Sequence, residues 1–150
     1  MTNNLKAFLD MIAFSEGTST IKSSDSGYNV IAGGALFTSY QDHPRKRVFI
    51  KRINDYSSAA GRYQLLARYY DAYKKQLGLK DFSPASQDAI AIQQIKECRA
   101  IDDINAGRFA DAVAKCRRIW ASFPNAGYSQ HENKQSDLQA KYVQSGGTLS

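Results

Sequence analysis

The chain has 150 residues, of which 43% are hydrophobic and 23% charged, and this composition excludes a protein that is disordered throughout. Its formal charge of +6 at pH 7 predicts attraction to polyanions such as nucleic acid, an anionic membrane face or a cell-wall polymer. The basic residues are scattered along the chain, whereas a nucleic-acid module usually concentrates them on one helix or stripe.

The first element is a predicted amphipathic helix. Leu5, Phe8 and Ile12 follow the spacing that buries one helical face. Asn3 or Asn4 is expected to cap its start, and Gly17 is placed to end it. Glu16 therefore falls at the C-terminal edge of an apolar helix.

Residues 19–58 have a different character, with clustered Ser, Thr, Asp and Gly and two short β-favouring runs. The runs cover residues 28–31 and 47–53, and Asp42-His43-Pro44 between them is a turn signal. Apolar and polar residues alternate weakly in the second run. These features predict a small, partly exposed hairpin region and no larger sheet.

The remainder of the chain has helical patterns. Periodicity and turn residues predict helices over residues 63–77, from Ser83-Pro84 onward, in a short segment before Gly107, and over residues 109–122 and 132–144. The sequence thus predicts one mostly helical α+β domain, residues 1–150, with its small β region between the first and second helices.

Glu16 is the first candidate for chemistry. The negative end of the helix dipole and the apolar neighbours Ile12 and Phe14 both disfavour its charged form, so its pKa is expected to be raised. A carboxyl that stays protonated near neutral pH can act as the general acid that cleaves a glycosidic bond. From its position alone, Glu16 is better explained as an ordinary exposed glutamate at a helix end.

Gly61-Arg62-Tyr63-Gln64 is the second candidate. Glycine allows close approach of another chain, while tyrosine and glutamine offer a flat apolar face and an amide suited to a sugar with N-acetyl arms. A plain helix start is the alternative. Tyr28 and Tyr128 lie in or near loops and are candidates for lining a groove.

Several segments occur in an order and spacing that can be compared with known families: Ser15-Glu16-Gly17-Thr18, Asp42-His43-Pro44-Arg45-Lys46, Gly61-Arg62-Tyr63-Gln64-Leu65-Leu66, residues 75–84 and Ile119-Trp120-Ala121-Ser122. In chain order, these segments resemble the phage lambda endolysin family. The resemblance implies a lysozyme-like fold and a lytic transglycosylase, which cleaves the β-1,4 bond between N-acetylmuramic acid and N-acetylglucosamine and leaves a 1,6-anhydro end. It implies no metal and no cofactor.

The resemblance also assigns residue roles. It makes Glu16 the single catalytic carboxyl and places Gly61 to Gln64 along the substrate groove. Ala126-Gly127-Tyr128 resembles a loop that closes over sugar in related transglycosylases. Tyr28 completes the expected substrate-binding set.

Two other functions remain open. A hydrolytic muramidase would pair Glu16 with Asp25, nine residues later, but Ile31 stands where that family has threonine and the residues around Asp25 also read as a solvated turn. Asn29 occupies a position where related endolysins tend to have aspartate. A non-catalytic basic module that binds cell wall or nucleic acid would not need Glu16 at all.

The sequence also suggests where the protein acts. It contains neither a secretory signal pattern nor an apolar stretch long enough to cross a bilayer. We therefore expect a monomer that accumulates in the host cytoplasm without a membrane anchor, reaches peptidoglycan through a holin-type lesion and does not bind nucleic acid. Cys98 and Cys116 lack the spacing of a zinc site and are expected to be buried thiols.

Overall fold

The computed structural model describes residues 1–127 and 132–150. Within them it contains α-helices and one two-stranded antiparallel sheet, in the order α1 (Asn3–Glu16), β1 (Val48–Ile50), β2 (Asp55–Ser57), α2 (Ala67–Leu77), α3 (Pro84–Glu97), α4 (Ile101–Asn105), α5 (Phe109–Cys116) and α6 (Gln135–Gln144). The chain divides into a terminal unit, Met1–Glu16 with Ile92–Ser150, and a central unit, Gly17–Ala91.

The terminal unit is built around α1, which packs against α4 and α6. Phe8, Met11 and Ile12 are fully buried, as the helical spacing of the apolar residues predicts. The ring of Phe8 meets Phe109 and Phe123 edge-on, with centroids 6.1 and 6.4 Å apart. The helix ends at the predicted place, because Gly17 adopts a φ of +77°.

Three predicted helix limits in this unit are wrong. Thr2, rather than Asn3 or Asn4, caps α1, since its Oγ1 accepts the backbone N–H of Leu5 at 3.1 Å. Helix α5 ends at Cys116 instead of near residue 122, and α6 begins at Gln135 instead of 132. The residues after α5 form a turn that buries Trp120 and Phe123, so tertiary packing overrides a sequence that contains no helix breaker there.

The buried Asn4 side chain ties the C-terminal tail to the helices of the terminal unit. Its Nδ2 donates to the carbonyl of Ile104 at 3.0 Å. Its Oδ1 accepts from the backbone N–H of Thr148 at 3.0 Å and from the Thr148 hydroxyl at 3.1 Å. A buried amide that is satisfied on both sides stabilises the fold chiefly because its removal would leave those partners unpaired.

We predict that Asn4→Ala lowers the free energy of unfolding by about 2 kcal/mol, because it leaves the buried carbonyl of Ile104 and the backbone N–H of Thr148 without their partner. Urea unfolding followed by circular dichroism measures the change. Asn3→Ala is the matched control: Asn3 is exposed, and its replacement should change stability by less than about 0.5 kcal/mol. Equal effects of the two substitutions would contradict the role given to Asn4.

The sheet of the central unit is a short hairpin. Val48 pairs with Ser57, Phe49 with Tyr56 and Ile50 with Asp55. The predicted strand over residues 47–53 is therefore too long, since Lys51–Ile53 forms a 3-10 turn that joins the two strands. Residues 28–31 form no strand: Val30 and Ile31 make only isolated bridges, to Leu36 and Ala60. The expected β region exists, but its hairpin pairs Val48–Ile50 with Asp55–Ser57 and does not include residues 28–31.

The core of the central unit packs against Val48 of this hairpin. It contains the buried residues Ile31, Ala60, Leu65, Tyr70, Phe82 and Ile90. Helix α2 begins at Ala67 rather than at residue 63, because Gln64 has a φ of +55°, which a helix cannot contain. The predicted end at Gly78 is confirmed, and Ser83 caps α3 as expected by accepting the backbone N–H of Ser86 at 3.3 Å.

His43 is buried in the central unit with both ring nitrogens satisfied in the neutral form. Nε2 donates to the carbonyl of Leu65 at 2.8 Å, and Nδ1 accepts the backbone N–H of Arg45 at 2.9 Å. The ring lies against Phe82, with centroids 4.9 Å apart. Burial lowers the pKa of His43 below its ordinary value of 6.5. A second ring proton would also point at the Arg45 N–H, so protonation disrupts this arrangement.

We predict that the protein becomes less stable as the pH falls below about 6.5. A histidine with a lowered pKa in the folded state binds its proton more readily after unfolding, so stability is complete above the unfolded pKa and decreases below it. The slope from this residue is at most about 1.4 kcal/mol per pH unit. Urea unfolding at pH 7.5 and 5.5 measures the change in the free energy of unfolding, and this change should be smaller in His43→Gln. The other histidine, His131, is present in both proteins, so its contribution drops out of the comparison. An equal pH dependence in both would rule out His43 as its source.

Cys98 and Cys116 are buried free thiols, as expected. Among the residues that the structure describes, no helix combines the length and apolar character that a membrane span requires.

Candidate active site

Glu16 is the last residue of α1, and its half-buried carboxylate accepts a hydrogen bond from the hydroxyl of Ser122 at Oε2. Ser122 lies in the turn that follows α5. The last turn of α1 carries no basic residue. A hydroxyl from a distant part of the terminal unit therefore holds an oxygen of this carboxylate at the negative end of the helix dipole.

Two more polar side chains extend this contact. The hydroxyl of Ser15 lies 2.7 Å from that of Ser122. Asn133 donates from Nδ2 to the Ser15 hydroxyl at 3.1 Å and to the Ser15 carbonyl at 2.9 Å. Its backbone N–H also donates to the carbonyl of Ser122 at 2.8 Å. Asn133 thereby links the end of α1 to the turn that carries Ser122.

A second polar cluster lies in the central unit. The hydroxyls of Tyr28 and Tyr63 both donate to Oδ1 of Asp88, at 2.9 and 2.6 Å. The guanidinium of Arg62 lies 5.2 Å from the ring centre of Tyr28 and 5.6 Å from that of Tyr63. Its Nη1 donates to the Tyr63 hydroxyl at 3.1 Å, and its Nε donates to the carbonyl of Ser26 at 2.9 Å.

This cluster keeps its tyrosines neutral. Burial is the main cause of the raised pKa of Tyr63, and the Asp88 carboxylate adds to it. The same two causes raise the pKa of Tyr28. Both residues therefore act as hydrogen-bond donors and apolar surfaces, and neither is suited to serve as a base. Tyr28 and Arg62 are half-buried, whereas Tyr63 is only 5% exposed.

Gly61 and Gln64 form the backbone framework of this cluster. Gly61 has a φ of +84°, and a Cβ there would stand 2.4 Å from Oε1 of Gln87 and 2.8 Å from the ring of Phe82. The side chain of Gln64 donates to the carbonyls of Val30 and Gly61, at 3.2 and 3.0 Å. The predicted alternative of a plain helix start is wrong here, because α2 begins only at Ala67.

The loop before α6 is described only in part. Tyr128, the remaining predicted substrate-binding residue, lies outside the described residues. In the described part of the loop, the carboxylate of Glu132 accepts the backbone N–H groups of Asn125 and Gly127, each at 3.1 Å. Both residues have positive φ, of 61° and 80°. One glutamate side chain thus fixes the backbone of this loop on the N-terminal side of Tyr128.

The structure brings most of the predicted residues into two clusters. Tyr28 and Tyr63 converge on Asp88 in the central unit, where Arg62 donates to Tyr63, and Glu16 lies in the terminal unit with Ser122. Ser122 was predicted only as part of a resembling segment, and neither Asp88 nor Asn133 was anticipated. Among the described residues, no group of His, Cys, Asp or Glu side chains could hold a metal ion.

The family of the chain follows from its similarity to known proteins. The family model described as Endolysin matches residues 6–149. The chain belongs to the endolysin family. It is 55% identical to the endolysin of Escherichia phage lambda over 151 residues, covering 99% of this chain and 95% of that protein. It is 46% identical to the endolysin of Escherichia phage P2, covering 96% of this chain and 93% of that protein.

Solved structures agree with this assignment. Bacteriophage lambda lysozyme in complex with a chitohexasaccharide is 55% identical, has a TM-score of 0.97, and is matched over 100% of this chain and 98% of that one. Another structure of the lysozyme from bacteriophage lambda is 54% identical, with a TM-score of 0.92 and the same coverage. The expected mostly helical, lysozyme-like α+β fold is confirmed. The chain is a phage enzyme that acts on the bacterial cell wall.

We predict that Gly61→Ala lowers the free energy of unfolding by about 3 kcal/mol, from the left-handed backbone and from overpacking against Gln87 and Phe82. Thermal and urea unfolding measure the loss. Gly78→Ala is the matched control, because Gly78 has a φ of +65° but nothing within 4 Å of its Cβ position. A loss no larger than that of the control would show that the close approach to Gln87 imposes no constraint.

Proposed function

We propose that this chain is a lytic transglycosylase that cleaves the β-1,4 bond between N-acetylmuramic acid and N-acetylglucosamine in peptidoglycan, with Glu16 as its single acid and base. The observation that carries the proposal is the Glu16 carboxylate, half-buried at the end of an apolar helix and held by a hydroxyl, in a chain of the endolysin family. A carboxyl that is fixed and partly withdrawn from water is suited to proton transfer.

The proposed reaction needs one carboxyl and no water. Glu16 donates its proton to the glycosidic oxygen as the bond from that oxygen to C1 of the muramyl sugar breaks. The C6 hydroxyl of the same sugar attacks C1 and forms the 1,6-anhydro ring. The proton of that hydroxyl returns to Glu16, so the enzyme ends in its starting state.

A single carboxylate is sufficient because the substrate supplies the nucleophile. Glycosidases that use water or an enzyme nucleophile need a pair of carboxyl groups. A hydroxyl in the same sugar ring is already close to C1, so its attack gains the high effective molarity of an intramolecular reaction.

The hydrolytic alternative would use Asp25 as a second carboxylate. Asp25 is exposed in a turn, where it accepts the Tyr40 hydroxyl at 2.7 Å and its backbone N–H donates to the Asn29 side chain at 2.8 Å. Six residues further on, Ile31 is buried in the core and offers no hydroxyl. These contacts explain Asp25 and Asn29 as parts of a structured turn, which supports the transglycosylase proposal.

Glycan strands are the proposed substrate and binding partner. The relative from bacteriophage lambda was solved with a chitohexasaccharide, and we extend glycan binding to this chain. In the proposed groove, Tyr28 and Arg62 offer partly exposed surface to a sugar, while Gly61, Tyr63 and Gln64 shape the backbone that carries them. Tyr128 keeps its proposed role in a loop over the substrate.

The oligomeric state of the enzyme and its route to the cell wall complete the proposed function. We propose that the chain acts as a monomer, without cofactor, and reaches the wall from the host cytoplasm after a holin-type lesion opens the membrane. The formal charge of +6 supports accumulation at an anionic envelope, an effect that high salt would weaken. A non-catalytic wall-binding module is less well supported, because it gives Glu16 and its hydroxyl partner no function.

We predict that mass spectrometry of purified peptidoglycan digested by this protein shows muramyl products lighter by one water and resistant to borohydride reduction. Glu16→Gln should reduce the rate of digestion about 10²- to 10⁴-fold, because it removes the transferable proton. Asp25→Asn is the matched control and should digest at the normal rate with the same products.

Each other outcome has a distinct meaning. Reducible muramyl ends, together with loss of activity in Asp25→Asn, would establish hydrolysis and reject the transglycosylase mechanism. Full activity in Glu16→Gln would reject the assignment of Glu16. No digestion by any of the proteins, with retained binding to the wall, would support the binding module instead.

A further inference from the structure

Three polar side chains from separate parts of the terminal unit form a connected set of hydrogen bonds that ends at Glu16. Ser15 comes from α1, Ser122 from the turn after α5, and Asn133 from the segment before α6. Ser15 is 7% exposed and Ser122 is 8% exposed. Buried hydroxyls normally have partners, and these find them in one another and in the Glu16 carboxylate.

The chemistry of the donors sets the direction of this chain of hydrogen bonds. The side-chain nitrogen of Asn133 can only donate, so Ser15 Oγ is the acceptor in their contact at 3.1 Å. Each serine hydroxyl has one proton. Since Ser122 donates its proton to Glu16, the 2.7 Å contact between the serines must use the proton of Ser15. All three groups therefore donate towards Oε2 of Glu16.

We propose that Ser122, Ser15 and Asn133 form a hydrogen-bond relay that positions Glu16 and keeps its Oε2 an acceptor in both protonation states. This inference rests on the proposed function. With Oε2 receiving the Ser122 proton, the transferable proton of Glu16 is carried by Oε1, which becomes the atom that gives a proton to the glycosidic oxygen and later receives one. Ser122, Ser15 and Asn133 are positioning residues, because they act on the substrate only through Glu16.

Asn133 anchors the relay to the backbone. Its own N–H donates to the Ser122 carbonyl at 2.8 Å, and its side chain reaches the same carbonyl at 3.3 Å. The side chain also donates to the Ser15 carbonyl at 2.9 Å. Both residues that carry the relay hydroxyls are thus held by one asparagine, which limits the freedom of the carboxylate in the way that proton transfer requires.

A purely structural role is the competing explanation, and it applies unequally to these residues. The contact from Asn133 to the Ser15 carbonyl satisfies one of the last carbonyls of α1, as a helix cap would. The hydroxyl of Ser122 satisfies no backbone group in the contacts that the structure gives it; those contacts are to Glu16 and to Ser15. Ser122 is therefore the residue at which positioning and stability can be separated.

The test measures kcat and KM for the shortening of defined soluble glycan strands, followed by chromatography. Ser122→Ala should lower kcat about 10- to 100-fold and leave KM within about twofold, because a hydrogen bond to a charged group is lost without a contact to substrate. Ser122→Thr keeps the hydroxyl and should restore kcat to within about threefold of wild type. Affinity for chitohexaose, measured by calorimetry, should be equal in all of these proteins.

Ser86→Ala is the matched control. Ser86 is 7% exposed and donates to a carboxylate, Asp81, at 2.8 Å, but it belongs to the central unit. It should lose stability to a degree similar to that of Ser122→Ala, while its kcat stays at the wild-type value. Asn133→Ala provides a second test at the far end of the relay and should lower kcat by a smaller factor.

Several outcomes would overturn the relay. They are a wild-type kcat in Ser122→Ala, an equal loss of kcat in Ser122→Thr and Ser122→Ala, and an equal loss in Ser86→Ala. If Ser122→Ala does not fold, a folded Asn133→Ala protein with unchanged kcat overturns it instead. Glu16→Gln in the same assay separates failure of the proposed function from failure of the relay. An active Glu16→Gln protein rejects the proposed function. An inactive Glu16→Gln protein together with a wild-type kcat in Ser122→Ala rejects only the relay.

Discussion

The geometry of the candidate active site depends on one constraint, a carboxylate at the negative end of a helix whose last turn carries no basic residue. The end of the helix presents the negative end of its dipole and unpaired carbonyl groups at this position. Neutral donors from elsewhere in the terminal unit offset this, through Ser122 at the carboxylate and Asn133 at the terminal carbonyl of Ser15. The turn after α5 and the segment before α6 therefore supply the hydrogen-bond donors that the end of α1 lacks.

The central unit holds a carboxylate in a similar way, with neutral hydroxyls as its donors. There the carboxylate of Asp88 is the common acceptor, and two tyrosine hydroxyls donate to it. Its neighbour Gln87 accepts the backbone N–H of Arg62 at 2.9 Å and donates to the carbonyl of Tyr28 at 3.1 Å. Adjacent residues in α3 thus fix both segments that carry the proposed sugar-binding residues. Gly61 is required because the amide of Gln87 occupies the space that a side chain would need.

Features that local chemistry determines could be predicted from the sequence. The end of α1 at Gly17 and the start of α3 at Ser83-Pro84 depend on one or two residues whose conformational preferences are strong. The family resemblance singles out Glu16, which lies between a serine and a glycine at such an end, and its catalytic role stays a prediction. The short hairpin was harder to predict, because its second strand, Asp55–Ser57, has little β character of its own and is defined by pairing with Val48–Ile50.

The missed features are those that long-range contacts determine. Helix α2 begins late because Gln64 takes a positive φ and its side chain bonds to Val30, far away in the sequence. Helix α5 ends early because Trp120 and Phe123 turn inward to pack. Asn133 has no local signature, since an asparagine before a helix usually caps that helix. Here it instead binds residues 118 and 11 positions away, and only the folded chain reveals this.

The hydroxyl of Ser122 suits the role that we propose for Glu16. A cation paired directly with the carboxylate would favour the charged form and leave no proton for the leaving oxygen. A hydroxyl can donate to the carboxylate and equally to the carbonyl oxygen of the protonated acid, so it holds the group in both states of the cycle. Ser122 therefore gives orientation with less bias towards ionisation than a lysine or arginine would impose. An acid that must give up its proton and then regain it is better served by such a partner.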